Sequence, residues 1–262
     1  KPIALENYQA KRKEAGYADS YIDQEIGAAR TMINKAFDND LISGDILRTF
    51  KRVRRLLKRN ANARDKILTL GQFLALMNNL PRHARAIVAA AFDTGMRLGE
   101  IVSLTWDKVD LSSRIIKLEA NDTKDKEPRK IPITDQLFVI IKSIPRAIHT
   151  NHVFLYRGKP FRDIRTTLKR ACRVVGIIYG RKQKGGFVFH DLRRTYNTHM
   201  RKAGVDHSVI RSITGHSTLE MFNRYNAIDE DDARLAISKF QGYLKSVDQN
   251  VDQVGSEQEK RG

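Results

Sequence analysis

The stretch FHDLRRTYNTHM, residues 189–200, sets His190 three positions ahead of Arg193. On a helix, residues three apart share a face, so an imidazole and a guanidinium would project together. Such a pair reads as a surface cluster, as part of a salt-bridged helix, or as the grip on an anion. Phosphate leads among anions, because a guanidinium forks onto two of its oxygens. Other residues with chemical reach stand at the starts or ends of elements. Arg97 follows Gly95 in TGMRLGE, Lys124 sits in the polar loop NDTKDKEP, His216 stands in ITGHS, and Tyr225 comes nine residues later. Each alone has an ordinary reading: a surface arginine, a structural histidine, a tyrosine at a core or interface. A metal site built from His190, His199, His207 and His216 has little support. Their spacing fits no common ligand pattern, and no His-Glu-x-x-His is present. No metal and no cofactor are expected.

Elements must bring these residues together, and composition bounds what those elements build. The 262 residues suffice for one large domain or two modest ones, and 41% are hydrophobic, enough for a core. The formal net charge is +18 and the sequence pI about 10.1, which points to a polyanionic partner, nucleic acid by default. A membrane surface is the rival, but no apolar run approaches the ~20 residues of a span, and no signal-like segment opens the chain. Cys172 is the only cysteine, which excludes an internal disulfide and fits a reducing cytosol, hence a cytoplasmic protein. The chain opens on Lys1 rather than methionine, as expected of a fragment or processed product.

The first 66 residues read as a small helical domain. In ADSYIDQEIGAARTMINKAF the apolar Ile22, Ile26, Ile33 and Phe37 keep helical spacing, with Asp19 or Ser20 as cap. Residues 46–66 hold nine basic side chains, Arg48, Lys51, Arg52, Arg54, Arg55, Lys58, Arg59, Arg64 and Lys66, against one acid, Asp65. Phe50, Val53, Leu56 and Leu57 run as an apolar stripe beneath them. The stretch is either a solvated face or a phosphate-binding one. RNANARDK reads as a linker. From Ile67 a second domain runs to about residue 245. Thr69 caps a helix, Gly95 stops the next, and RLGEIVSL is a short third. RIIKLEA and RKIPI then switch to β-branched runs and predict a hairpin, with LTWDKVDL as a third strand. Helical patterns resume at Thr134. PFRDIRTTLKRACRVVG reads as a helix with proline near its start and glycine after its end. HDLRRTYNTHMRKAG, DHSVIRSITG and STLEMFNRYN follow, with Ser217 and Glu220 as a capping box. The expected fold is mainly α with a small antiparallel β-sheet, an α+β arrangement. Residues 246–262 are polar, lack a period and are expected to be a disordered tail.

Together these segments resemble the tyrosine recombinases, the phage-type integrases. TGMRLGEIVSLTWDKVD is similar to that family's first arginine box, HDLRRT to its His-x-x-Arg box, TGHSTLEMFNRY to its Gly-His…Tyr box and TKDKEPRKIPI to its lysine hairpin. The resemblance spans about residues 67–245. Two positions depart from the family pattern: Arg194 stands where histidine is common, and Thr214 where leucine is common. The resemblance implies a catalytic set of Arg97, Lys124, His190, Arg193, His216 and Tyr225. Tyr225 would attack a DNA phosphodiester and form a 3′-phosphotyrosine, with neither metal nor ATP. It implies a two-domain clamp on double-stranded DNA carrying specific recombination sites. Homotetramers would form on paired sites, with DNA-bending accessory proteins as possible helpers and the helix of DEDDARLAISKFQGYL docking into a neighbouring subunit. The first domain is short for the family's core-binding role, as if its opening helices were missing. A type IB topoisomerase and a non-catalytic DNA-binding regulator on the same fold are the alternatives.

Overall fold

The computed structural model describes residues 1–58, 61, 64, 66–216, 222, 233–234 and 236–244. The chain divides into two compact units, Lys1–Ala63 and Arg64–Gly262. The division falls three residues before the boundary read from the sequence.

The first unit comprises helices α1 (Pro2–Glu14), α2 (Asp19–Asp38) and α3 (Gly44–Arg52). Pro2 suits the first turn of α1, where an amide hydrogen would have no helical acceptor. Ile22 and Ile26 on α2 are buried, Ile33 is half-buried and Phe37 is exposed, so the apolar period is used only along the helix's first half. The α2 cap is Ala18, one residue before the expected Asp19, which falls in the first turn. The basic stretch does not continue as a helix to Leu57. It leaves the helix at Val53, because the buried Asp23 carboxylate of α2 accepts the backbone N–H of Leu56 at 2.9 Å and of Leu57 at 3.0 Å. Gln9 of α1 adds a bond to the Arg54 carbonyl at 3.0 Å. Two charge-assisted bonds from one carboxylate outweigh the helical propensity of a few residues.

The second unit is built around α5 (Arg82–Thr94). Its run AIVAAAF buries Ala86, Ile87, Val88, Ala89, Ala90 and Ala91. A helix apolar almost all round must be central, and small side chains let its neighbours approach closely. These are α6 (Leu98–Val102), α7 (Asp135–Lys142) and α9 (Asp191–Lys202), with α4 (Leu70–Asn78) alongside. Thr69 caps α4 in a reciprocal box with Gln72, as its position predicts. A three-stranded antiparallel sheet, β1 (Val109–Asp110), β2 (Ile115–Leu118) and β3 (Arg129–Pro132), follows α6 in the order β1-β2-β3. Its register sets Ile116 opposite Ile131, both fully buried. The expected third strand is only two residues long, because Trp106–Lys108 form a 3₁₀ turn before it.

One element escaped the sequence reading. LYRGKP forms a second hairpin, β4 (Leu155–Tyr156) and β5 (Lys159–Pro160). Pro160 therefore ends a strand and does not open the following helix. That helix, α8 (Arg165–Val174), starts five residues later, where the Asp163 carboxylate accepts the Arg165 N–H at 2.8 Å. Helix α10 (His207–Thr214) completes the labelled elements, and residues 236–244 are helical. The Ser217–Glu220 capping box and the tail 246–262 lie outside the described residues.

Candidate active site

Two glycines set the geometry. Gly95 ends α5 and Gly215 ends α10, each left-handed, at φ 64° and 67°. Both also sit under tight contacts. A methyl at Gly95 would lie 2.7 Å from the Tyr196 ring, and one at Gly215 would run into the Arg129 guanidinium. Only glycine meets both demands. The turn after Gly95 delivers Arg97 to the N-cap of α6, and the turn after Gly215 delivers His216.

Arg193 is the third residue of α9, yet its side chain is buried, at 2% exposure. Its Nη1 donates to the Gly95 carbonyl at 2.8 Å and the Thr214 carbonyl at 2.5 Å, tying together the ends of α5 and α10. Its Nη2 and Nε reach His216 Nε2 at 3.1 and 3.3 Å. The two arginines converge on one acceptor: the Gly215 carbonyl takes Arg97 Nη2 at 3.1 Å and Arg193 Nη2 at 3.4 Å. The buried carboxylate of Glu100 orients Arg97, accepting its backbone N–H at 2.8 Å and its Nη1 at 3.0 Å. The same carboxylate accepts Arg129 Nη2 from β3 at 2.5 Å. Asp125 holds Arg97 Nη2 from the other side at 2.8 Å.

His190 stands at the N-cap position of α9 and is exposed. The protein packed around it, and then Arg193, pull its pKa down to about 4, with Asp191 opposing. His216 is buried, and burial followed by Arg193, Arg97, His190 and Arg129 brings it down to about 3. Both imidazoles are therefore neutral at neutral pH. Asp191, 2% exposed, fixes the start of α9: it accepts the Val188 N–H at 2.8 Å and Arg64 Nη2 and Nε at 2.7 and 3.0 Å.

Arg97, His190, Arg193 and His216 thus come together in one electrostatically coupled cluster. Lys124 lies in the loop between β2 and β3 with its side chain exposed, and its neighbour Asp125 is the loop residue that touches Arg97. Tyr225 lies outside the described residues. Phe222, three positions before it in sequence, is fully buried with its ring 5.8 Å from that of His216. Of the basic stretch, Arg48, Lys51, Arg52, Arg54, Arg55 and Lys58 are exposed and Lys66 is half-exposed. Arg59 lies outside the described residues. Arg64 departs from the expected phosphate role, since its guanidinium is committed to Asp191. Arg194 is buried.

Glu100, Asp125, Arg129, Asp191 and Thr214 were not singled out from the sequence as parts of the site. Glu100 carried a readable signal, being three residues past a helix cap. Arg129 carried none, since its partner is 29 residues away.

The Phage integrase family profile matches residues 66–232. The integrase of Salmonella phage P22 is 23% identical over 203 residues, which is 71% of this chain and 48% of that protein. Tyrosine recombinase XerA of Pyrococcus furiosus is 24% identical over 178 residues, covering 66% of this chain and 61% of XerA. The chain thus spans about half to three-fifths of these relatives. In fold it resembles the Tn1549 transposon integrase solved in complex with a circular intermediate DNA. That match has a TM-score of 0.68 at 18% identity, over 92% of this chain and 85% of that one.

Proposed function

The chain belongs to the phage integrase family, and from that premise we propose that it cleaves and rejoins DNA strands at specific sites through a tyrosine nucleophile. The observation that carries this reading is the pair of guanidiniums, Arg97 and Arg193, meeting at the Gly215 carbonyl with neutral histidines beside them. Tyr225 Oη attacks the phosphorus, a 3′-phosphotyrosine ester forms, and the bond to the 5′-oxygen breaks. His190, neutral because its pKa lies near 4, takes the phenolic proton. Lys124 gives a proton to the departing 5′-oxygen, which requires the exposed loop to close on the DNA. Arg97 and Arg193 meet the charge that gathers on the non-bridging oxygens, the work that a metal ion does elsewhere. One phosphoester replaces another, so religation to a new strand needs no ATP.

The exposed basic residues of the first unit, Arg48 to Lys58, suit contact with duplex DNA phosphates. The Tn1549 transposon integrase was solved in complex with a circular intermediate DNA, which supports DNA as the partner here. Residues 236–244 form a helix with Ile237, Phe240, Tyr243 and Leu244 exposed. An apolar helical face left open to water suits docking into a neighbouring copy, and so a tetramer on paired sites. A nicked suicide substrate tests the reaction: the parent protein should form a covalent adduct that survives denaturing electrophoresis. Tyr225→Phe should bind the same DNA and form none. An adduct from Tyr225→Phe would remove Tyr225 as nucleophile.

A further inference from the structure

Arg181, Lys182 and Lys184 in YGRKQKGGF are exposed, and none of the three has an ion-pair partner among the described residues. From residue 164 to His190 the chain carries seven arginines and lysines and no acid, and the Asp191 that follows is spent on Arg64. The backbone beneath these cations is closely fixed. Gly180 N–H donates to the Phe187 carbonyl at 2.9 Å and Phe187 N–H to the Ile178 carbonyl at 2.7 Å, which closes the neck of the loop over the buried Phe187 ring. Within it, Gln183 N–H donates to the Gly180 carbonyl at 3.3 Å and Gly186 N–H to the Gln183 carbonyl at 3.0 Å. A methyl at Gly186 would run into the Gly180 carbonyl oxygen, so glycine alone fits that closure. Arg64 ties the loop to the active site. Its Nη1 donates to the Arg181 carbonyl at 3.4 Å and its Nη2 to the Gly186 carbonyl, while the same guanidinium forks onto Asp191, the first residue of α9. Asp191 stands between His190 and Arg193, so the loop is held to the helix start that bears both.

We propose that loop 180–186 is a phosphate-binding surface for duplex DNA beside the catalytic cluster, held in shape from behind by Arg64. Backbone phosphates fit because the loop offers cations, one carboxamide and glycines, with no apolar side chain for a base or a protein groove. Contacts of this kind carry no base sequence and instead set where the strand lies. A loop fixed before DNA arrives is spared the entropy of ordering on binding. Because Arg64 holds the loop and Asp191 together, a phosphate gripped by the loop is placed in register with His190 and Arg193. The proposal rests on duplex DNA as the partner, as proposed above, and leaves the guanidiniums of Arg97 and Arg193 to the cleaved phosphate.

The test is duplex binding by the full chain across a salt series, followed by phosphate interference on a nicked suicide substrate. Arg181→Gln, Lys182→Gln and Lys184→Gln together should lower the log–log salt slope by about two to three. All three side chains are exposed, so this variant should melt as the parent does. On the suicide substrate, an uncharged methylphosphonate in place of a phosphate flanking the cleaved one should weaken the parent at particular positions. At those positions the triple variant should lose nothing further. Arg64→Lys keeps the net charge and loses the fork, so its duplex affinity should fall about three- to tenfold as the loop loses its preset form. A triple variant with the parental slope overturns the proposal, as does one that stays as sensitive as the parent to every flanking methylphosphonate. Parental affinity in Arg64→Lys overturns the anchoring role, and the triple variant decides the phosphate contact even if Arg64→Lys fails to fold. A parent that binds no duplex at all refutes the proposed function together with the loop, whereas the other results refute the loop alone.

Discussion

Replacing Arg193 with lysine keeps the charge and removes the fork. The guanidinium bridges two buried carbonyls, Gly95 at 2.8 Å and Thr214 at 2.5 Å, while its other nitrogens reach His216 and the Gly215 carbonyl. An ammonium is a point donor on a flexible stem and cannot span these positions. A buried carbonyl left without a donor costs about 1–3 kcal/mol of stability. In the reaction, the loss of one preorganised donor to the transition state costs roughly 2.7–4 kcal/mol, a factor of about 10²–10³ in rate. Long-range attraction to DNA depends on net charge, which is unchanged, so affinity should stay within about threefold. Arg193→Lys should therefore show three separate effects. Single-turnover cleavage of a suicide substrate falls by two to three decades on that estimate. Binding to the same duplex is nearly retained. Urea unfolding shows a loss of about 1–3 kcal/mol. Cleavage within about fivefold of the parent would refute the placement of Arg193 at the transition state, since the smallest loss allowed here is about a hundredfold. Unchanged stability would refute the bridge between the ends of α5 and α10.

Three further outcomes follow from other parts of the molecule. His216 is held neutral, with a pKa near 3, whereas the unfolded chain protonates near 6.5, so the unfolded state binds the proton first as pH falls. Its stability contribution is complete above about pH 6.5 and is lost as pH falls toward 3. Denaturant melts between pH 6 and 4 should show His216→Gln reducing the slope of stability against pH by about 1.4 kcal/mol per unit, and an unchanged slope would contradict the depressed pKa. In the first unit, Arg52→Gln with Arg55→Gln should weaken binding to all duplex sequences and lower the log–log salt slope by about two, whereas a parental slope would make this a solvated face. Phe240→Asp should leave single-site binding intact and weaken sedimenting assemblies on paired sites. Tetramers forming at the parental concentration would exclude the exposed helix as a docking element.

The local elements were legible in the sequence because their causes are local. The cap at Thr69, the glycine stop at 95 and the hairpin of RIIKLEA with RKIPI depend on neighbours within a few residues or on a single short hairpin. The residue types and order from Arg97 to Tyr225 were equally legible, as were the +18 charge and the pattern that resembles the family. Two-residue strands such as β4 and β5 are too short to show a period, so that hairpin was not. Only tertiary structure decided what each site residue touches. Asp23 ends the basic helix from 33 residues away, and Arg64 reaches Asp191 across 127. Arg129 of β3 shares the Glu100 carboxylate with Arg97. A carboxylate or hydroxyl takes its partner from whatever the packed core brings within about 3 Å, and distance along the chain carries no record of that.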